Sequence, residues 1–238
     1  MSSEQEHPAG KTFIPDQREG YVRSESMYAN NMKCIGGRNM AADEILFRYT
    51  SAAVMVSFMM VRGYFSRRLG REPVATGRAQ VRDRTYYRLM AGVYILPFAY
   101  ALTSWLDFAH VSFPPALRWM GALLAFGGVA MVWWTHRTLG RHWSGILELR
   151  ENHRLISSGP YRHIRHPMYT GFFMMPIGMA LVTANLLVAL LQIGVTIAMY
   201  LARVADEEAM MIDRFGDEYR TYIRQTGRLL PRLRTGRP

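Results

Sequence analysis

Residues 168–204 read MYTGFFMMPIGMALVTANLLVALLQIGVTIAMYLARV, two apolar blocks, 168–184 and 186–204, separated only by Asn185. At about 1.5 Å of rise per helical residue each block reaches roughly 26–27 Å, close to the ~30 Å of a hydrocarbon core. The chain therefore crosses a membrane, turns at Asn185 and crosses back. The fold class that follows is all-α, an integral membrane helical bundle.

Three more apolar blocks lie upstream, at 45–65, 89–108 and 116–134, so about five transmembrane helices are expected. The first is the weakest, because Arg48 and Arg62 lie near its ends and must snorkel to the headgroups; its alternative is a helix lying in the interface. Pro97 interrupts the second block and Pro176 the fourth, which predicts a kink at each. Half of the 238 residues are apolar and 20% are charged. The mean hydropathy of −0.05 averages the apolar blocks against arginine-rich connections. This composition excludes a soluble single-core protein, a disordered chain and collagen.

The formal net charge of +11 sits entirely in residues 40–238, where every base is an arginine, since residues 1–39 carry five bases and five acids. The connections alternate in charge. Seven arginines lie between positions 66 and 88, none between 109 and 115, six between 135 and 167, and seven after 204. The positive-inside rule then places the amino terminus outside and the carboxy terminus in the cytoplasm. Arginines gathered in gaps between apolar blocks, without an aromatic stripe, exclude nucleic acid as the partner; the partner is the lipid bilayer. The tail 1–39 has no apolar block and no lipidation signal, and is expected to be disordered, with Met40 reading as a natural start. The single cysteine, Cys34, supplies no disulfide and no metal set.

The third connection carries the chemistry. It contains Leu139-Gly-Arg-His-Trp-Ser144, His153-Arg-Leu-Ile-Ser-Ser-Gly-Pro-Tyr161 and Arg165-His-Pro-Met-Tyr169. Pro167 biases His166 away from helical backbone and opens the fourth membrane helix, so His166 and Tyr169 sit at a helix amino terminus suited to an anion. The double crossing delivers Arg203, Asp206, Glu207 and Glu208 to the same membrane face. Arg203 and Glu207, at i and i+4, share a helix face, while Glu208 is turned by about 100°. Singly, these are a membrane anchor and a solvated helix face; together with the loop they describe a site. His136, His142, His153, His163 and His166 lack a second close pair or paired carboxylates in the spans, and no metal is expected.

At these residues the chain resembles the isoprenylcysteine carboxyl methyltransferase family, which is related to the phospholipid N-methyltransferases. The shared pattern is Leu139-Gly-Arg…Trp143-Ser, His153-x-Leu-Ile-x-x-Gly-Pro-Tyr161, Arg165-His-Pro-x-Tyr169, Arg203-x-x-x-Glu-Glu208, Phe215-Gly-x-x-Tyr219-x-x-Tyr222 and Leu230-Pro231. It implies one membrane methyltransferase domain at 40–238, with the motif-bearing part at 116–231. It also implies S-adenosylmethionine as cofactor, held on the cytoplasmic side by the loop before the fourth helix and the end of the fifth, without a Rossmann sheet. By the resemblance, His153, Leu155, Ile156, Gly159, Tyr161, His166 and Tyr169 line the cofactor pocket, Glu208 pairs with the cofactor's ammonium, and the catalytic Arg203 and Glu207 face the substrate.

The expected reaction is carboxyl O-methylation of an isoprenylcysteine-like group on an amphiphile entering from the lipid. A carboxylate nucleophile needs no base, so an arginine fork steadied by Glu207 suffices, whereas a phospholipid amine or thiol acceptor would need a group to take its proton. An NADPH-dependent sterol-type reductase is the remaining alternative. Those enzymes share Arg-His-Pro-x-Tyr but carry asparagine where this chain has Met168, and Gly-Glu where it has Gly171-Phe172. No oligomeric state is assigned.

Overall fold

The computed structural model describes residues 43–68, 78–140 and 155–232. The tail 1–39 with Met40, the loop positions 141–144 and His153 lie outside these residues. The chain divides into two units, Met1–Glu44 and Ile45–Pro238, and all contacts below lie in the second.

Six helices make up the described residues: α1 Asp43–Arg68, then α2 Arg78–Val93, α3 Leu96–Leu102, α4 Pro115–Leu139, α5 Pro167–Thr183 and α6 Leu186–Gln225, with 3-10 turns at Asp107–Ala109 and Gly159–Arg162. Helices α1, α4 and α6 are each long and apolar enough to cross a membrane, while α5 and the apolar stretch Arg88–Leu102 are shorter. The described residues are all-α, and the molecule is an integral membrane protein.

The block 89–108, expected as one helix, is broken. Pro97 has no N–H to offer the Val93 carbonyl and its ring excludes that carbonyl from the ladder. Helix α2 therefore stops at Val93, and the Phe98 and Ala99 N–H groups both turn to the Ile95 carbonyl at 3.0 and 3.2 Å. Helix α3 ends at Leu102 because Arg48 takes its last carbonyls: the guanidinium reaches Tyr100 O and Thr103 O at 2.8 Å each and Asp107 Oδ1 at 2.5 Å. Arg48 thus caps a neighbouring helix instead of reaching for headgroups. At Pro176 the outcome differs, since α5 runs through it without a break.

Phe47 meets Trp119 and Phe65 meets His136, both with ring centroids 5.1 Å apart. Both sequences ascend, so α1 lies parallel to α4 along its length, as two crossings in the same direction must. His136 Nδ1 donates to Val132 O at 2.7 Å, which leaves Nε2 to accept from Arg62 at 3.4 Å.

Helices α4 and α5 are antiparallel and in backbone contact. A Cβ on Gly178 would stand 2.5 Å from Ala125 N and from Gly121 O, and one on Gly171 would stand 2.8 Å from Gly128 O. Small residues at 121, 125, 128, 171 and 178 let the backbones approach, a common device in lipid, where packing replaces the hydrophobic effect between helices. Beyond α5 the chain reverses at once. Ala184 adopts φ 46°, and Asn185 caps α6 by accepting from Val188 N at 3.1 Å while its Nδ2 donates to Leu106 O at 2.6 Å.

Helix α6 does not stop at 204 but projects beyond the apolar block to Gln225, redirected at Gly216 (φ 53°, ψ −123°). The chain then folds back as a strap over 226–232. Arg165 N donates to Gly227 O at 2.7 Å, His166 N to Arg228 O at 3.0 Å, and Gly227 N to His163 O at 3.1 Å. Thr170 Oγ1 adds a bond to Leu229 O at 2.6 Å.

Candidate active site

The site lies where the first turn of α5, the projecting part of α6 and the strap meet. His166 precedes α5 with non-helical backbone (φ −122°, ψ 60°), and Pro167 begins the helix. Tyr169, one turn in, donates its O–H to Glu207 Oε1 at 2.8 Å, and Arg203 Nε reaches the same oxygen at 3.3 Å. The His166 ring lies between the two glutamates, with Nδ1 at 3.6 Å from Glu207 Oε2 and Nε2 at 3.2 Å from Glu208 Oε1. Arg203, His166 and Glu208 are all buried, at 6, 9 and 9% exposure.

Glu208 is also held from two other directions. Arg165 Nε approaches Oε1 at 3.3 Å and Arg228 Nε approaches it at 3.1 Å, while Arg228 NH2 bonds Oε2. Burial raises the Glu208 carboxyl, but hydrogen bonds from His166 and Arg228 overcome that and hold it down at about 2. Arg165 is itself fixed, its NH1 bonding Ile223 O at 3.0 Å and Thr226 O at 2.6 Å at the carboxy end of α6. Burial pushes the Tyr219 phenol up to about 12.

The structure thus brings Arg203, Glu207, Glu208, His166 and Tyr169 into one hydrogen-bonded cluster. Tyr161 is tied instead to the carboxy end of α6, its carbonyl accepting from Tyr222 OH at 2.6 Å. Leu155 lines a groove with Tyr222 and Gln225, whereas Gly159 lines another with Trp133, Trp134 and Thr138. Gly159 has φ +58° and a Cβ there would meet Thr138 Oγ1 at 2.7 Å, so the turn requires glycine. Ile156 is half-buried beside Leu155. The sequence reading missed the roles of Arg165 and Arg228. Arg165 belongs to the Arg165-His-Pro-x-Tyr169 motif, whereas Arg228 carries no sequence signal except its place just before Leu230-Pro231. No group of three side chains able to hold a metal ion occurs among the described residues.

Fold and site together define an integral membrane protein with a buried ionic cluster at one end of a helical bundle. Residues 120–213 match the sequence model of the Isoprenylcysteine carboxyl methyltransferase (ICMT) family, so over this stretch the chain is related to that family, as the motifs implied. It is 32% identical over 94 residues to the Protein-S-isoprenylcysteine O-methyltransferase of Schizosaccharomyces pombe, covering 39% of this chain and 40% of that protein. With the human protein of the same name it shares 29% over 140 residues, covering 55% of this chain and 49% of that protein. The chain thus spans less than half the length of each. It is also 29% identical over 158 residues to the Cobalt-zinc-cadmium resistance protein CzcN of Cupriavidus metallidurans, covering 66% of this chain and 70% of that one. The solved structure of the eukaryotic intramembrane Ras methyltransferase ICMT aligns at a TM-score of 0.47 and 21% identity, covering 78% of this chain and 62% of that one.

Proposed function

We propose that the protein is an S-adenosylmethionine-dependent membrane methyltransferase that O-methylates the carboxyl group of an isoprenylcysteine-like amphiphile, with its site in the cytoplasm and its amino terminus outside. The convergence of Arg203, Glu207 and Glu208 on His166 and Tyr169 carries this reading. The names of the S. pombe and human relatives lend support to the acceptor. The alternation of arginine-rich connections supports the orientation.

The residues fit the cofactor. Its ammonium and carboxylate call for an acid beside a base, and Glu208 lies against two arginines. The resemblance gives the rest of its pocket to His153, Leu155, Ile156, Gly159, Tyr161, His166 and Tyr169, of which His166 and Tyr169 touch the two glutamates while Leu155 and Gly159 line separate grooves. When bound, S-adenosylmethionine supplies an electrophilic methyl group on a sulfonium. The chain's own task is then positioning. Arg203 binds the substrate carboxylate as a planar fork, and Glu207 orients that fork through the Nε contact. Tyr200 and Phe173, whose rings meet at 5.5 Å between α6 and α5, offer aromatic surface to the apolar part of the acceptor.

Two observations weigh against the alternatives. An amine acceptor would need a glutamate or histidine as base, and Glu207 Oε1 is already engaged by Tyr169 and Arg203 in orienting the arginine fork. Phe172, where the sterol-type reductases carry glutamate, is buried and packs edge-on against Phe58 and Tyr169. Titrating the purified protein with S-adenosylmethionine and, separately, with NADPH tests the reading. S-adenosylmethionine is expected to bind and NADPH not to; the reverse result would sink it.

A further inference from the structure

Glu208 is surrounded by three basic groups, and they differ in freedom. Arg165 is 10% exposed and tied to two backbone carbonyls, and His166 is 9% exposed on the stretch that leads into α5. The Arg228 side chain is 49% exposed although it engages both oxygens of Glu208. Its backbone is nonetheless fixed, because its carbonyl accepts from His166 N at 3.0 Å. Arg228 is therefore a cation anchored at the edge of the site, half open to solvent, with Tyr200 as a second partner beside Glu208.

An α-amino-acid group carries an ammonium and a carboxylate on one carbon. A carboxylate and a guanidinium already in contact match both charges at that separation. When the ammonium replaces Arg228 on Glu208 and the carboxylate takes the released guanidinium, one ion pair becomes two and no buried charge is left bare. That matters because an unpaired charge in a site this enclosed is strongly unfavourable. Arg165 and His166 stay on Glu208 throughout.

Resting on the methyltransferase reading above, we infer that Arg228, delivered by the carboxy-terminal strap, is the binding residue for the carboxylate at the amino-acid end of the methyl donor. Neither the motifs nor the proposed handling of the acceptor assigns it a role. The inference also gives the strap a function, since its backbone bonds to 163–170 hold the Arg228 anchor in place.

The test compares S-adenosylmethionine with decarboxylated S-adenosylmethionine, which keeps the ammonium and sulfonium but lacks the carboxylate, by calorimetry on the full-length protein in detergent. The wild type should prefer the complete cofactor. Arg228→Ala should lose roughly ten- to a hundredfold in affinity for it, the worth of one charge-assisted contact. Affinity for the decarboxylated form should hold steady or rise, because a competing cation is gone. Arg228→Lys keeps a cation on the strap and so guards against misfolding; it should show an intermediate preference. An equal loss for both ligands in both variants would reduce Arg228 to a support for Glu208 and overturn the inference. So would unchanged binding of the complete cofactor, or a wild type that binds the two ligands equally. A wild type that binds neither would bring down the methyltransferase reading as well.

Discussion

Tyr169 and Glu207, 38 positions apart in sequence, are joined by a 2.8 Å hydrogen bond from the phenol of α5 to the carboxylate of α6. With Arg203 Nε on the same oxygen, Glu207 Oε1 orients both neighbours, while Oε2 faces His166 Nδ1 at 3.6 Å.

If Arg203 grips a substrate carboxylate, Arg203→Lys should cut turnover severely, because an ammonium cannot reproduce a bidentate fork. One such contact is worth about 1.5–3 kcal/mol, or roughly 10- to 150-fold in rate if it acts in the transition state. Glu207→Gln should be milder, since the amide oxygen still accepts from Tyr169 and Arg203. Single-turnover methyl transfer in the two variants ranks them; a crippled Glu207→Gln beside an active Arg203→Lys would point to an amine acceptor.

Glu208, held at about 2, lies below the ~4.3 of a free glutamate. A folded-state value below the unfolded one gives stability that is present above about pH 4.3 and fades as pH falls toward 2. The gap in melting temperature between wild type and Glu208→Gln should therefore be constant from about pH 7 to 5 and narrow below about pH 4. A gap that ignores pH would mean that the charge on Glu208 does not hold the strap.

Gly178→Ala places a Cβ 2.5 Å from two backbone atoms of α4, which cannot rotate away. Overpacking of this kind costs about 1–3 kcal/mol. Gly194 has open space around its missing Cβ, so Gly194→Ala should be neutral or stabilise α6 by up to about 1 kcal/mol. Thermal unfolding in detergent should separate the two; equal effects would contradict the close approach of α4 and α5.

Gly216→Ala meets no neighbour within 4 Å, so its cost is that of the backbone alone at φ 53°. About 1–3 kcal/mol is expected. Because Gly216 aims the last turns of α6, the variant should also expose the strap to limited proteolysis after Arg224 or Arg228. A strap as protected as in the wild type would show that the redirection comes from elsewhere.

The sequence by itself determined the membrane class, the return of the chain at Asn185 and the residues that meet because of it. Apolar block length and helical rise fix where a crossing ends, which is enough to bring Arg203–Glu208 back to His166 and Tyr169. Periodicity could not reveal the break at 94–95 as a full stop, because Pro97 breaks a helix or passes through it according to what its neighbours supply. At Pro97 the chain turns before the proline and Arg48, 52 residues from Tyr100, closes the short helix; at Pro176 the helix continues. Nor did glycines 121, 128, 171 and 178 announce a helix interface, since a missing Cβ has meaning only once a second backbone lies against it. The partners of Glu208 were likewise decided by tertiary structure alone. Arg165 and Arg228 are separated from it by 43 and 20 positions, and only the positive-φ turn at Gly216 and the backbone bonds of the strap bring all three charges to one point.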